Sequence, residues 1–273
     1  FRPKQHQRST LVAGFETLQL VYHVAIRNLR KTHGNAVLGL VISIVQALLM
    51  ILVMYFMMQL FGMRRLAVRG DFMLYVMSGV FMFMTHSKAI GAVSGADSST
   101  SAMMMHAPMN PIISIMGAAL SSLYQQVLAA SVILFVYHVV VTPITIDEPV
   151  GMLGMFMISW FSGVGIGMIF LAARPWQPDA VMLLSTLYRR ANMIASGKML
   201  LANNAPPFIR SWFDWNPLFH TIDQGRGFIF LNYTPRFTSI DYPIYYSLVC
   251  VMIGLMAEFF TRQHASASWN KRR

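Results

Sequence analysis

Apolar positions along this chain gather into long unbroken runs, not into the alternation of a half-buried strand. The runs extend from Val37 to Phe61, Phe72 to about Ile90, Ile112 to Val141, Gly151 to Leu171, Ala180 to Leu201 and Tyr242 to Phe260. A helix needs about 20 such residues to cross about 30 Å of hydrocarbon. The pattern therefore predicts an all-α polytopic membrane protein with six transmembrane helices. A transmembrane barrel would show alternating strands of roughly ten residues instead. Gly163, Gly165 and Gly167 in the fourth run mark close helix packing. The fifth run is the least regular, since Arg189, Arg190, Asn192 and Lys198 interrupt it.

Two segments carry a different period. Leu11, Phe15, Leu18, Tyr22, Ala25, Ile26 and Leu29 recur at three and four, with Glu16, Gln19, His23, Arg27 and Arg30 opposite. That is an amphipathic helix lying in the headgroup plane, with a soluble packing helix as the alternative, and Arg27, Arg30 and Lys31 gather at the end where cations suit the helix dipole. The second is Pro206 to Arg226, PPFIRSWFDWNPLFHTIDQGR, too polar and too broken to cross a bilayer. Residues before proline are pushed out of the α region, so Asn216-Pro217 divides it into two short helices. It reads as a re-entrant or interfacial element before the last span. The chain is thus organised as a tail and interface helix (1–34), a six-span body (35–262) and a basic tail (263–273).

Composition agrees and narrows the classes. The 273 residues are 56% hydrophobic and only 11% charged, with mean hydropathy +0.53, whereas a soluble domain is about a quarter charged. A net charge of +11 would suggest nucleic acid in a soluble protein. In a membrane chain it points to the positive-inside rule and anionic lipid, and no nucleic-acid partner is read. With a cytosolic amino terminus, six spans put twelve Lys and Arg inside and seven outside, leaving Arg189 and Arg190 within the fifth. Both termini are then cytosolic. Residues 1–10 lack the apolar core of a signal peptide, and Cys250 is alone, which excludes an intrachain disulfide. His86, His106, His138 and His220 are too scattered for a metal set, and Asp147-Glu148 has no legible nucleophile or base beside it. No catalytic residue and no metal ligand are assigned.

At this point the layout resembles the permease subunit of type-2 ABC transporters, and within them the polysaccharide-export permeases of capsule and O-antigen systems. AIRNLRKTHGNAVLGL resembles the family's basic interface helix running into the first span. Ser196, Gly197, Pro206, Trp215, Asn216, Pro217, Leu218, His220, Asp223 and Arg226 match its late run, and Phe228, Phe230, Tyr233 and Tyr242 follow where such permeases place a segment before the last span. Lys198 departs from the apolar continuation usual after that Ser-Gly, and Arg189-Arg190 is a second polar intrusion.

The resemblance implies a bacterial inner-membrane exporter built from two copies of this chain and two ATPase subunits. The cargo is polysaccharide or lipid-linked glycan, and ATP and Mg sit on the partner. The sequence agrees, since it has no G-x-x-x-x-G-K-[ST] loop. A lipid, drug or teichoic-acid cargo on the same fold, or a non-transport membrane anchor for soluble partners, are the alternatives. The expected ATPase-coupling surface comprises Arg27, Arg30, Asp97, Ser99, Thr100, Met104 and His106, with a short helix from Asp97 to Met105. Arginine at membrane depth usually faces a cavity or partner and suits bidentate phosphate contact. Arg189 and Arg190 are therefore candidate substrate-path residues, beside headgroup placement as the alternative. Sugar rings stack on aromatics, which adds Tyr55, Phe56, Tyr75 and Phe81 to the path. Trp212, Trp215, Asn216, Pro217, His220 and Arg226 form the expected outer gate.

Overall fold

The computed structural model describes residues 10–31, 36–60, 62, 70–97 and 111–270. Among them are nine helices and no strand: α1 (Thr10–Lys31), α2 (Ala36–Leu60), α3 (Phe72–Ser94), α4 (Pro111–Val140), α5 (Pro149–Ala173), α6 (Pro178–Ala195), α7 (Pro207–Phe213), α8 (Pro217–Ile229) and α9 (Asp241–Asn270). Five of them open on a proline, whose missing N–H falls where a helix has no use for one. Asp71 caps α3 by accepting from Met73 N at 2.9 Å, and its other oxygen accepts from Tyr137 Oη on α4 at 2.6 Å. All of the expected helix Asp97–Met105 beyond Asp97 itself, including Ser99, Thr100 and Met104, lies outside the described residues, as do His106 and the side chain of Arg30.

Helix α3 is the centre of the bundle. Most of its residues are buried, and α2, α4, α5, α6 and α8 all pack on it. The glycine series of α5 explains the tightest of these contacts. Positions two apart on a helix face nearly opposite ways. Accordingly, a Cβ on Gly163 would sit 2.5 Å from His86 O and one on Gly167 2.8 Å from Val93 Cβ, both on α3. A Cβ on Gly165 would sit 2.9 Å from Cys250 Cβ, on α9. His86 completes the α3–α5 seam, with Nδ1 at 2.9 Å from Ser162 Oγ.

Five helices are long and apolar enough to cross a membrane: α2, α3, α4, α5 and α9. The outer faces of α2, α4 and α9 expose Leu49, Val53, Phe135, Val139, Met252 and Phe259, a surface suited to lipid and not to water. The fifth predicted run differs from expectation. Its helix is 18 residues, carries Asp179, Arg189 and Arg190, is not among the five, and ends at Ala195 instead of Leu201. Gly197 stops it, with φ at +66° and Phe219 Cδ2 only 2.3 Å from where a Cβ would stand. The last helix continues to Asn270, through most of the segment read as a tail.

The interface helix packs on a side that neither predicted face marks. Val21 and Val24 are buried with Ile113 of α4, while Phe15, Leu18 and Tyr22, on the predicted apolar face, are exposed. Glu16, Gln19 and His23 of the predicted polar face are exposed as well, so a third side of the helix, marked by Val21 and Val24, holds the bundle.

Gly163→Ala will force α5 away from backbone and is expected to destabilise by about 1–3 kcal/mol. Gly154→Ala, which meets nothing within 4 Å, will be neutral or mildly stabilising. Thermal unfolding of the two purified variants in one detergent measures the contrast.

Candidate functional site

The late polar segment folds as the break at Asn216-Pro217 requires. Helix α7 ends at Phe213, and Asn216 caps α8 by accepting from Leu218 N at 3.0 Å. The Asn216 amide also donates to Asn192 Oδ1 at 2.6 Å and Ala195 O at 2.9 Å, tying the break to the end of α6. One residue thus caps one helix and closes another. His220 Nδ1 accepts from Ser239 N at 3.1 Å, so the proton is on Nε2, which donates to Asp214 O at 2.8 Å. This tautomer holds the segment before α9 against the α7–α8 corner.

The deepest group is Arg226, fully buried. Its guanidinium donates to Gly197 O at 3.3 Å, to Leu200 O at 2.8 Å and to Lys198 O. It also lies over the Tyr75 ring of α3, 3.9 Å from the centroid. One turn earlier on α8, buried Asp223 takes the opposite polarity of the same loop, accepting from Ala202 N at 3.1 Å. It accepts as well from Tyr233 Oη at 2.5 Å and Thr238 Oγ1 at 2.9 Å. Burial and then the Asp223 charge push the Tyr233 phenol up, which keeps it the donor in that pair. Lys198 is buried too, with Nζ 3.9 Å above the Phe83 ring centroid. Measured along α3, the turn after α6 therefore sits near Gly79 and Phe83, midway, while Phe230 reaches Gly70 just before the helix begins.

The expected gate residues separate into two kinds. Asn216, Pro217, His220 and Arg226 are buried in this knot, whereas Trp212 and Trp215 are exposed. Sequence reasoning included Asp223 only as part of the late run and gave it no role. The partners Ala202, Tyr233 and Thr238 lie at separations that carry no local pattern.

Of the expected coupling residues, Arg27 and Asp97 are brought together. Arg27 Nη2 lies 3.0 Å from Asp97 Oδ2, joining α1 to the chain just beyond α3. The aromatic path residues are dispersed. Phe56 is exposed and Tyr55 half-buried, with its hydroxyl accepting from Gln59. Tyr75 and Phe81 are core residues of the single chain. Tyr75 has Arg226 over its ring, 3.9 Å from the centroid, and the Phe72 ring near-parallel to it at 6.3 Å.

Arg189 and Arg190 both line a cavity of about 440 Å³ between α2, α3 and α6. Arg189 reaches across to α3, where its Nη1 lies 3.1 Å from a Cβ built on Gly91, a turn before the helix ends. No cluster of His, Cys, Asp and Glu fit for a metal occurs among the described residues. His86, His138 and His220 are each held in separate local bonds.

Breaking a buried charge network costs about 3–5 kcal/mol, and lysine cannot reproduce the fork that spans three carbonyls. Arg226→Lys is therefore expected to lower the accumulated folded protein severely and open residues 197–202 to hydrogen exchange. Arg210→Gln, which loses only a cation–π contact with Phe237, is expected to cost less than about 1 kcal/mol.

No family model matches the chain. It is similar to two curated proteins of Escherichia coli, both named polysialic acid transport protein KpsM. The likeness to one is 23% identity over 256 residues, covering 93% of this chain and 97% of the relative. To the other it is 22% over 254 residues, with the same coverage. The similarity runs from the interface helix through α9 with both lengths almost fully used, and it embraces the apolar helices and the late polar knot together. This likeness over nearly the whole of both lengths supports the resemblance to type-2 ABC transporter permeases of polysaccharide export.

Proposed function

We propose that this chain is the membrane subunit of an ATP-driven exporter that moves polysaccharide or lipid-linked polysaccharide across the bacterial inner membrane. The observation that carries the reading is end-to-end similarity to two polysialic acid transport proteins. ATP and Mg are held by two separate ATPase subunits, and two copies of this chain form the conduit.

The inside-out character of α6 supports a sixth crossing. Its exposed side carries Met182, Leu183, Leu184, Leu187 and Ile194, while Ser185 and Asn192 are its buried residues. A soluble helix buries its apolar face; one in lipid keeps polar residues inward. Eighteen residues rise about 27 Å, and the buried turn at 197–202 with α8 completes the distance alongside α3. A re-entrant α7–α8 element follows, with both termini cytosolic and the Trp212–Trp215 corner at the outer leaflet as a gate. The Arg27–Asp97 contact supports a coupling role for α1 and the loop after α3, because motion imposed on one is carried to the other.

Disrupting the gene is expected to leave glycan polymer inside the cell, seen by analysis of surface and intracellular polysaccharide. Normal surface glycan with altered drug sensitivity would refute the cargo. Partly exposed ion pairs contribute roughly 0.2–1 kcal/mol, so Asp97→Arg is expected to fold yet lower export and ATPase stimulation severalfold. The swap Arg27→Asp with Asp97→Arg is expected to recover part of both. Substituting Trp215 with Ala should impair export while the ATPase still co-purifies.

A further inference from the structure

We propose that the loops at the Asp71 end of the bundle are pinned by two histidines that must be uncharged, so that acid unpins both and loosens the α7–α8 corner. The proposal deepens the gate reading, on which its role in export rests, by giving that corner a proton-sensitive hold. The loop between α4 and α5 is pinned by His138, whose Nδ1 accepts from Ile144 N at 2.9 Å. The segment between α8 and α9 is pinned by His220, whose Nδ1 accepts from Ser239 N at 3.1 Å. Both lie at one end of the bundle. Tyr137, beside His138, donates to Asp71 at the start of α3, and Phe230, just after α8, packs on Gly70. The two stretches also meet, since Asp147 N and Glu148 N donate to Ile229 O and Phe228 O at 3.4 and 2.8 Å.

A backbone N–H is accepted only by a ring nitrogen that carries a lone pair. In both histidines that nitrogen is Nδ1, so the single proton of the neutral ring is on Nε2. A second proton has one place to go, Nδ1, where N–H would then face N–H. Each bond is therefore made while the ring is neutral and lost as pH falls, as for any histidine that the fold holds neutral. Other bonds on the second segment do not answer to protons: Asn203 Nδ2 donates to Thr234 O at 2.8 Å, and Gln224 Nε2 donates to Thr238 O at 2.7 Å. Acid thus frees the Ser239 end without detaching the segment. His220 also lies against the Tyr242 ring, 4.7 Å between centroids, and Tyr242 Oη donates to Trp215 O at 2.7 Å. Loss of the Ser239 bond loosens the start of α9 against the Asp214–Trp215 corner.

The titratable and charged groups on neighbouring elements leave this logic in place. At the His138 end stand Asp71, bonded to Tyr137, Tyr55 on α2, and Asp147 and Glu148 before α5. Around His220 the carboxylates are Asp214 in the corner, Asp223 on α8 and Asp241 at the start of α9. Asp223 is taken up by Ala202, Tyr233 and Thr238, while Asp214 and Asp241 are exposed. Of the cations, Arg226 is spent on the 197–200 carbonyls and Arg210 lies over Phe237. Tyr242 and, from α6, Tyr188 complete the set, and burial pushes the Tyr242 phenol up, so it stays a donor. The two pins differ in access. His138 is exposed and His220 buried, but Ser239 reaches solvent. Water replaces a bond at an exposed site at little cost, so His220 is the stronger hold.

The test is hydrogen exchange of the full purified chain in detergent, read as protection factors at about pH 8 and about pH 5 after correction for intrinsic exchange. The Ser239 amide is expected to lose about tenfold in protection at the lower pH and the Ile144 amide about threefold. The Ala202 amide, held by Asp223, is expected to keep its own. His220→Gln offers an amide oxygen to Ser239 and an N–H to Asp214 at every pH. In it Ser239 should become indifferent to acid while Ile144 still responds; His138→Gln should do the reverse. An acid loss at Ser239 that persists in His220→Gln, with native melting, overturns the proposal. Equal loss at Ala202 overturns it as well, since that is general loosening. Should His220→Gln leave Ser239 unprotected at both pH values, His138→Gln decides the matter: an Ile144 amide indifferent to acid supports the proposal, and one that still responds overturns it. The assay contains no ATPase and no glycan. A chain whose Ser239 bond answers to acid in this way, but whose export is unchanged by external pH, would sink the corner as a gate and leave the pins standing.

Discussion

Backbone that leaves the helix inside a membrane has no water to satisfy it, and each orphaned polar group there costs several kcal/mol. The turn after α6 lies buried midway along α3, one of the helices apolar enough to cross a membrane, and Arg226 answers the same need there. Its guanidinium collects the carbonyls of Gly197, Lys198 and Leu200 while the Tyr75 ring covers its face. Asp223, one turn away on the same helix, answers the amide of Ala202. A cation and an anion on α8 thus serve the two polarities of one loop. That pairing lets the chain be non-helical midway along α3 without leaving its backbone unanswered.

Much of the surrounding architecture follows from holding that loop against α3. Gly79 of α3 is bare because the Arg226 guanidinium and the Lys198 stem occupy the space of a side chain there, at 2.8 and 3.1 Å. Gly225 is bare because Met82 Cε would sit 2.2 Å from its Cβ. On the other side of α3, Gly163 and Gly167 let α5 approach to backbone contact. The central helix is therefore clamped from two directions, by the glycine face of α5 and by the α8 knot. The outer helices are looser: α2 and α9 turn apolar faces outward and are only 28% buried over their most apolar stretches, so what completes their packing lies outside the single chain.

The sequence made the long apolar helices legible because their signal is length and hydropathy, which need no knowledge of neighbours. Helices α2 to α5 begin and end within a few residues of the predicted runs, and prolines mark several of the starts. The fifth run misled because Met199, Leu200 and Leu201 continue its hydropathy, although Gly197 with φ +66° has already ended the helix. Hydropathy registers what is buried, not what is helical. The late motif was legible as a break and a polar cluster, but Arg226 and Asp223 act on backbone 21 to 29 residues away. Carbonyl and amide partners leave no trace in side-chain pattern. The packing of Tyr75 and Phe81 was illegible for a related reason, since an aromatic in a span looks the same in sequence whether it faces a conduit or a buried cation.

Charge in this protein is therefore best sorted by donor accounting, not by depth. Arg226 and Arg189 are both arginines in largely apolar surroundings, and composition treats them alike. Arg226 spends its donors on three carbonyls and its face on an aromatic ring, so the fold consumes it. Arg189 has only two long bonds to its own helix and borders a cavity with Lys88 and Arg190. Retaining three cations where no carboxylate among the described residues answers them costs stability, and three ordinary apolar side chains would fill that space without the repulsion. The cost identifies which charges belong to the scaffold and which are left for something outside the chain.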